Sequence, residues 1–214
     1  MRGIFIVIEG GEGAGKGSVI RFLQERFSAA RARREVVFTR EPGGSPFAER
    51  LRAALFPGVA HEADDADALA VFLAMCAARR AHLRHTILPA LSRGAAVISD
   101  RFHASSWAYN VRAQQSAANE ALFRAVHAAV LEGAEPDYHI FLDVAPEEGL
   151  RRRARAGAED AFDLQSPDFH ARVRAGYREF LQGRPHTVID ANRPLEAVCE
   201  ETAACIAALL GKER

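Results

Sequence analysis

The chain alternates short, continuously apolar runs with longer stretches of helix-forming residues. A run that is apolar throughout, rather than at every second position, predicts a strand buried on both faces of a sheet. The predicted strands are Ile4–Ile8, Val36–Thr39, Ala96–Ser99, His139–Val144 and Thr187–Ile189. The predicted helices are Ser18–Ala30, Ala66–Arg93, Asn119–Leu131, Glu147–Ala156, Asp168–Gln182 and Leu195–Leu210. The alternation predicts one α/β domain over residues 1–214, with a doubly wound, mainly parallel five-stranded sheet and helices on both faces.

Composition and charge narrow the class of protein. The 214 residues include 28 basic and 28 acidic ones, so the formal net charge is zero. The molecule as a whole therefore has no electrostatic attraction to nucleic acid or to an acidic membrane. The longest apolar run, Ala68–Ala78, is shorter than the ~20 residues that a membrane-spanning helix needs, and the apolar start lacks a signal-peptide cleavage pattern. The three cysteines form no ligand-like cluster and are expected to be reduced; they are Cys76, Cys199 and Cys205. We therefore expect a cytoplasmic protein without a nucleic-acid or membrane partner.

A glycine-rich loop follows the first predicted strand and leads into the first predicted helix, which is the context of a phosphate-binding loop. Its glycines let backbone N–H groups turn toward an anion, and the helix dipole adds to the attraction. Only two of the basic residues are lysines, and Lys16 stands in this loop, where a compact charge can reach the β- and γ-phosphates of ATP. The residues predicted to bind this nucleotide are Gly10, Gly11, Glu12, Gly13, Ala14, Gly15, Lys16, Gly17 and Ser18.

The position after Lys16 is unusual for a phosphate loop. Ser or Thr normally stands there and binds Mg²⁺, whereas here Gly17 precedes Ser18. The sequence therefore predicts a Mg²⁺ ion held largely through water near Ser18 or Asp100, and it leaves the choice between them open. A GTPase would need an Asn-Lys-x-Asp motif, and a motor or transport ATPase would show a second acidic residue after a strand-ending aspartate. Because the sequence has neither feature, small-molecule kinases remain.

Several short motifs occur in a fixed order along the chain, and together they are far more specific than any one alone. Besides the phosphate loop they are Thr39–Gly44, Leu51-Arg52, Ala78-Arg79, Pro89–Leu91, Asp100–Phe102, Ser105-Ser106, Ala108-Tyr109 and Leu142–Val144 with Pro146. With these motifs the chain resembles bacterial thymidylate (dTMP) kinases across nearly its whole length. The resemblance implies transfer of the γ-phosphoryl of ATP to dTMP, giving dTDP and ADP, with Mg²⁺ as cofactor and a homodimer as the assembly.

The resemblance also implies roles for charged side chains beside the phosphates. Phosphoryl transfer depends on positioned cations and amides, so a site that concentrates them is expected. By this resemblance Arg101 binds the acceptor phosphate, and Asp100 lies near the metal ion or the transferred group. Arg40 and Arg52 are implied as further cations on the phosphate side.

On the base and sugar side, the resemblance implies that Arg79 hydrogen-bonds a thymine carbonyl and that Ser106 meets the base edge. Tyr109 would crowd the ribose 2′ position and so favour deoxyribose. Glu12 and Glu41 would face the acceptor sugar. The substrate-binding residues implied in this way are Glu12, Arg40, Glu41, Pro42, Arg52, Met75, Arg79, Arg101, Ser105, Ser106, Tyr109 and Asn110.

A small mobile lid is expected at about residues 151–166, where arginines follow two glutamates. Spacing of four residues predicts ordinary ion pairs on a solvated helix, Glu147 with Arg151 and Glu148 with Arg152. Arg153 and Arg155 have no partner at that spacing, so we expect one of them to close over the phosphates. Loss of such an arginine finger costs about 10³–10⁵ in rate. The predicted catalytic residues are Lys16, Asp100, Arg101, Arg153 and Arg155.

Four features depart from the family pattern. Met75 stands where an aromatic residue is expected, Asn110 where glutamine is usual, Val111–Gln115 where a glycine-rich stretch is expected, and Ala161 where a lid arginine is usual. All four lie on the acceptor or lid side, whereas the motifs on the ATP side are more complete. Two other functions therefore stay open: a kinase of another nucleoside monophosphate, and an ATP-binding regulatory protein or pseudokinase that has lost the chemistry.

Overall fold

The computed structural model describes residues 2–27, 34–56, 68–157 and 165–211. Its sheet consists of β1 (Phe5–Gly10), β2 (Val36–Arg40), β3 (Ala96–Asp100), β4 (Tyr138–Asp143) and β5 (His186–Asp190). The strands lie in the order β2-β3-β1-β4-β5, and every neighbouring pair is parallel. The predicted parallel α/β sheet is therefore confirmed, and all five predicted strands are present with small shifts at their ends.

The described helices are α1 (Lys16–Arg26), α2 (Pro46–Leu55), α3 (Ala68–His82), α4 (Leu88–Ser92), α5 (His103–Ser106), α6 (Ala117–Leu131), α7 (Pro146–Arg155), α8 (Pro167–Leu181) and α9 (Leu195–Gly211). Two π-helical segments, Leu83–Ile87 and Trp107–Ala113, continue α3 and α5. The long helix predicted at 66–93 is thus α3, a π-helical segment and α4 in succession, and its first two residues lie outside the described ranges. Throughout those ranges, no helix combines the length and the apolar character that crossing a bilayer requires.

Two helical regions were missed by the sequence analysis. Helix α2 had a readable signal, because Ser45 caps it by accepting a hydrogen bond from the Ala48 N–H and Pro46 occupies its first turn. Helix α5 and the π-helical segment after it begin directly at the end of the β3 turn. Since Phe102, at the start of α5, supplies no side-chain cap, the sequence carried no comparable signal there.

The central strand β1 is buried along its whole length, which explains why its sequence is apolar throughout. Ile6 and Ile8 pack in one cluster with side chains of α1 and α9. Phe5 and Val7 pack on the opposite face with side chains from residues 83–91. Full burial of each such side chain contributes roughly 1.5–3 kcal/mol, so β1 is the rigid base from which the following loop leaves the sheet.

The carboxyl ends of the central strands meet at one edge of the sheet. Asp100 at the end of β3 is in register with Ile8 of β1 and with Arg40 of β2. Three connections therefore leave the sheet side by side: the loop after β1, the segment after β2, and the turn after β3. In open parallel sheets ligands bind at this edge, so the fold brings the predicted site segments together.

Candidate active site

The loop between β1 and α1 packs closely against α7. Gly13 has a φ of 67°, and a Cβ there would lie 2.0 Å from the backbone oxygen of Gly149, so only glycine fits. Helix α1 begins at Lys16, whose Nζ donates hydrogen bonds to the backbone oxygens of Gly10 and Gly11, 2.9 Å away in both cases. Burial, and then the nearby Arg101, lower the pKa of Lys16 to about 8. The loop therefore holds a buried cation against two of its own backbone oxygens.

This loop forms one end of a cleft of about 1320 Å³. Sites for one drug-sized ligand occupy about 300–1,000 Å³, so the cleft is larger than such a site needs to be. The predicted site residues that line it are Glu12, Gly13, Ala14, Gly15, Lys16, Gly17, Ser18, Glu41, Pro42, Arg52, Met75, Arg79, Asp100, Arg101, Ser105, Tyr109, Asn110 and Arg153. Predicted site residues that do not line it are Gly10, Gly11, Arg40, Ser106 and Arg155.

Arg101 is a second cation on the cleft and lies close to Lys16, because both side chains donate to the Gly10 backbone oxygen. It stands in a strained turn directly after β3. Its φ is 70°, a left-handed conformation that costs a non-glycine residue on the order of 1–3 kcal/mol and is found most often at functional sites. One terminal nitrogen donates to the backbone oxygen of Gly10 at 3.1 Å and to the Tyr177 hydroxyl at 2.9 Å. The other donates to Oε1 of Glu12 at 2.8 Å. These contacts fix the guanidinium beside the phosphate loop.

Glu12 joins the two cations, because it belongs to the loop that holds Lys16 and its side chain reaches Arg101. The Tyr109 hydroxyl donates to the same Oε1 atom at 2.8 Å. Burial alone would raise the pKa of Glu12, but Arg101 and Lys16 outweigh burial and lower it to about 2. The carboxylate is therefore ionised and balances part of the positive charge in the cleft.

Glu9, near the end of β1, holds the turn that contains Arg101 by hydrogen bonds to the residues after it. This role was not predicted from the sequence. The Glu9 side chain is fully buried, Oε1 accepts the Phe102 N–H at 2.9 Å, and Oε2 accepts the Ser105 hydroxyl at 2.7 Å. Burial raises the pKa of Glu9 to about 7. The only signal in the sequence was a charged residue at the end of an apolar strand.

Tyr177 of α8 is the second supporting residue that was missed. Its hydroxyl lies 2.9 Å from Arg101 and 2.7 Å from the Ser105 hydroxyl, and its ring is fully buried. Burial raises the pKa of Tyr177, so it stays protonated and able to donate. No local pattern could have found it, because a tyrosine on the apolar face of a helix usually belongs to the core.

Arg79 of α3 lines the cleft and is held by a chain of polar side chains. Its Nε donates to Oε2 of Glu41 at 2.7 Å, and its NH2 group donates to the Ser106 hydroxyl at 3.0 Å. His82 Nδ1 lies 3.1 Å from the other Glu41 oxygen, and His82 Nε2 lies 2.6 Å from the Thr39 hydroxyl. Glu41 and Ser106 therefore both contact Arg79, and His82 is a third supporting residue that the sequence analysis did not identify.

The residues predicted to lie near a metal ion are on the cleft wall. Asp100 Oδ1 is buried and has no hydrogen-bond partner within the described ranges. The Ser18 hydroxyl lines the same cleft and accepts a hydrogen bond from Arg21 at 3.1 Å. A carboxylate and a hydroxyl are hard oxygen donors of the kind that Mg²⁺ prefers. The residues present therefore fit a Mg²⁺ ion.

The arginines of α7 differ from the predicted pattern in one respect. Arg152 pairs with Glu148 at 2.7 Å as predicted, but Arg151 also pairs with Glu148, at 2.6 Å, so the prediction of a Glu147 pair was wrong. Arg153 lines the cleft and helps to lower the pKa of Glu12, whereas Arg155 is exposed away from it. Ala161 and the centre of the predicted lid lie outside the described residues.

The two arginines predicted as further cations on the phosphate side differ in their positions. Arg52 lines the cleft and donates to the Pro42 backbone oxygen at 3.1 Å. Arg40 is half-exposed and forms an ion pair with Glu49 at 2.9 Å. Of the two predicted cations, only Arg52 lies on the wall of the cleft.

The site combines a glycine-rich loop after a central parallel strand with a buried lysine in that loop and a second cation on the same cleft. This combination defines a phosphate-binding-loop phosphotransferase. The family model for thymidylate kinase matches residues 8–202. The chain is 41% identical over 212 residues to the thymidylate kinase of Caulobacter vibrioides, covering 98% of this chain and 99% of that one. It is 40% identical over 210 residues to the Enterococcus faecalis thymidylate kinase, covering 96% of each chain. The chain belongs to the thymidylate kinase family.

A solved structure supports the same assignment. The crystal structure of thymidylate kinase from Ehrlichia chaffeensis superposes with a TM-score of 0.73 and 28% sequence identity. The match covers 97% of this chain and 99% of that chain. The resemblance inferred from the motifs is thus confirmed at the level of family and fold.

Proposed function

We propose that this cleft transfers the γ-phosphoryl group of ATP to dTMP, giving dTDP and ADP. The observation that carries the proposal is the convergence of Lys16 and Arg101 on one cleft, with Glu12 between them. A kinase needs two anion sites that face each other, one for the donor triphosphate and one for the acceptor monophosphate. Family membership supports dTMP as the acceptor.

In this proposal the acceptor phosphate attacks the donor directly. An oxygen of the dTMP phosphate forms the new bond to the γ-phosphorus, the bond to the β,γ-bridging oxygen breaks, and ADP leaves with that oxygen. Lys16 and the loop amides hold the β- and γ-phosphates, Arg101 holds the acceptor phosphate, and Arg153 adds positive charge over the transferred group. Such placement of fixed charges supplies most of the catalysis in phosphoryl transfer.

Ser18 and Asp100 would hold a Mg²⁺ ion, in large part through water. When bound, this ion neutralises negative charge on the β- and γ-phosphates. The buried Oδ1 of Asp100 supports this assignment, because it has no hydrogen-bond partner among the described residues and is thus available to the ion or to one of its waters.

At the base end, we assign Arg79 to a thymine carbonyl and Met75 to the face of the ring. Met75 lines the cleft, and a thioether recovers about 0.3–1.5 kcal/mol of the 1–3 kcal/mol that base stacking on an aromatic side chain provides. Tyr109, held by Glu12, would crowd the 2′ position of a ribonucleotide.

We further propose a cytoplasmic homodimer. The support for a dimer is on α3, where the large apolar side chains of Leu69 and Leu73 are both 45% exposed. The support for a reducing compartment is that the three cysteines are free.

A panel of acceptors tests the function. The enzyme is assayed with Mg·ATP and dTMP, dUMP, dCMP, dGMP or the ribonucleotide of thymine, with ADP formation coupled to a chromogenic reaction. The proposal expects the highest kcat/KM with dTMP and a clear loss with the ribonucleotide. A higher kcat/KM with another monophosphate would show that dTMP is not the preferred acceptor. ATP binding without formation of ADP from any acceptor would identify a pseudokinase.

A further inference from the structure

Two histidines and a glutamate meet at a place that is separate from the nucleotide cleft. His103 stands at the start of α5, His127 on α6, and Glu135 in the connection between α6 and β4. Their ligand atoms all lie within 4.8 Å of one another. None of the three lines the cleft, and the proposed kinase activity does not use them.

His103 is the feature that ordinary packing does not explain. Its side chain is fully buried, and within the described part of the chain neither ring nitrogen has a hydrogen-bond partner. A neutral imidazole carries one N–H and one lone pair, and burying both unsatisfied is unfavourable. The rings of Phe102 and Phe180, with centroids 4.9 and 4.8 Å from that of His103, offer no acceptor. The rings of His127 and His139, at 4.9 and 5.7 Å, form no hydrogen bond with it among the described residues.

The distances to Glu135 suggest what would satisfy this ring. Nε2 of His103 lies 3.2 Å from Oε2 of Glu135, without the alignment of a hydrogen bond, and Nε2 of His127 lies 3.0 Å from Oε1. Ligands bound at 2.0–2.2 Å in tetrahedral geometry lie about 3.3–3.6 Å apart. Two of the three ligand separations are therefore already close to those of a coordinated ion.

We propose that His103, His127 and Glu135 bind one Zn²⁺ ion, with water in the fourth position. Two imidazoles and one carboxylate are a donor set that zinc accepts in proteins. His127 is partly exposed and Glu135 is half-exposed, so the ion has a path from solvent.

The position of the site indicates a structural role. An ion there would join α5, α6 and the connection that leads into β4. His103 lies two residues after Arg101, so the ion would also anchor the far side of the turn on which Arg101 stands. This inference does not depend on the identity of the acceptor nucleotide.

The test uses the full-length protein, freed of metal and without nucleotide. Co²⁺ is titrated first, because a tetrahedral Co²⁺ site absorbs visible light much more strongly than an octahedral one, and Zn²⁺ is then used to displace it. We expect one tetrahedral site per chain. We also expect the midpoint of thermal unfolding to rise by about 5–10 °C when free Zn²⁺ is about a hundredfold above its dissociation constant.

Variants assign the ion to these residues. His127→Ala and Glu135→Gln lie toward the surface and are expected to keep the fold while weakening Zn²⁺ binding by about 100-fold or more, beyond the effect of losing an outer-shell partner. His85→Ala removes an exposed histidine elsewhere and is expected to bind Zn²⁺ as the parent does. Absence of tetrahedral Co²⁺ in the parent, binding unchanged in both ligand variants, or a thiolate charge-transfer band would overturn the proposal.

Discussion

The proposed donor half and the proposed acceptor half of the cleft are built in different ways. The proposed donor half is a continuous loop, in which the buried Lys16 donates hydrogen bonds to the backbone oxygens of Gly10 and Gly11. The acceptor half is assembled from side chains that are far apart in the chain: Arg101 contacts Glu12 and Tyr177, which are 89 and 76 residues away. A backbone site needs only a local loop conformation, whereas a side-chain site depends on the packing of several elements. The two halves should therefore fail differently when they are changed.

The largest effect is expected from Lys16→Ala in the donor half. Removing one preorganised donor at a site of developing charge costs about 10²–10³ in kcat, and we expect a loss of at least that size. Lys16→Arg is the matched control for charge, and it should not restore activity because a planar fork does not fit the place of a point charge. Steady-state assays with thermal unfolding as a check on the fold measure both. Turnover of Lys16→Ala close to that of the parent would contradict the assignment.

The next effect concerns support of the acceptor half through Tyr177. In Tyr177→Phe the ring stays but Arg101 and Ser105 lose a shared hydroxyl, and hydrogen bonds to charged groups contribute about 1.5–3 kcal/mol. We expect kcat/KM for dTMP to fall at least about tenfold while KM for ATP stays the same. Tyr138→Phe is a matched control, since its hydroxyl bonds Thr187 away from the cleft. If both variants changed kcat/KM for dTMP equally, Tyr177 would not support the acceptor site.

The two neighbouring glutamates should have opposite effects on the pH dependence of stability. The folded protein raises the pKa of Glu9 to about 7, so its favourable contribution is complete below about pH 4.5 and is lost as the pH rises to about 7, on the order of 3 kcal/mol in total. The folded protein lowers the pKa of Glu12 to about 2, so its contribution is present above about pH 4.5 and is lost as the pH falls toward 2.

Denaturant unfolding of Glu9→Gln and Glu12→Gln from pH 3 to pH 8 measures these contributions. Glu9→Gln should flatten the decline in the free energy of unfolding between about pH 5 and 7, and Glu12→Gln should flatten the loss on the acid side. Glu196→Gln, on the surface of α9, should change neither limb. If Glu9→Gln and Glu196→Gln gave the same dependence of the free energy of unfolding on pH, the raised pKa of Glu9 would not account for the decline between about pH 5 and 7.

The smallest effect is expected at Gly17. A Cβ at this position in α1 meets no atom within 4 Å, so Gly17→Ser fits. Replacing glycine by serine inside a helix should raise the free energy of unfolding by about 0.5 kcal/mol. The new hydroxyl also stands where phosphate loops usually bind Mg²⁺, so half-maximal activity should need less Mg²⁺. An unchanged Mg²⁺ requirement would favour Asp100 and water alone.

The same contrast explains what the sequence could reveal. The strands, the phosphate loop and Lys16 followed from local patterns, because their chemistry is contained in consecutive residues. Arg101 and Glu12 were assigned through motifs, but the contact between them follows only from the parallel register that brings β1 and β3 together.

The supporting side chains could not be predicted in the same way. Tyr177 and His82 look like core residues in the sequence, and only their packing against Arg101 and Glu41 gives them a role. Arg40 shows the converse, since a motif position did not reveal that its side chain pairs with Glu49 at the rim.

Calorimetric titration of two variants with two ligands tests the central claim most directly. The non-hydrolysable ATP analogue and dTMP are each titrated into Lys16→Ala and Arg101→Ala. Crossed losses are expected: Lys16→Ala weakens binding of the ATP analogue more than binding of dTMP, while Arg101→Ala does the reverse. Equal weakening of both ligands in each variant, or normal dTMP binding by Arg101→Ala, would contradict a cleft with two separate phosphate sites.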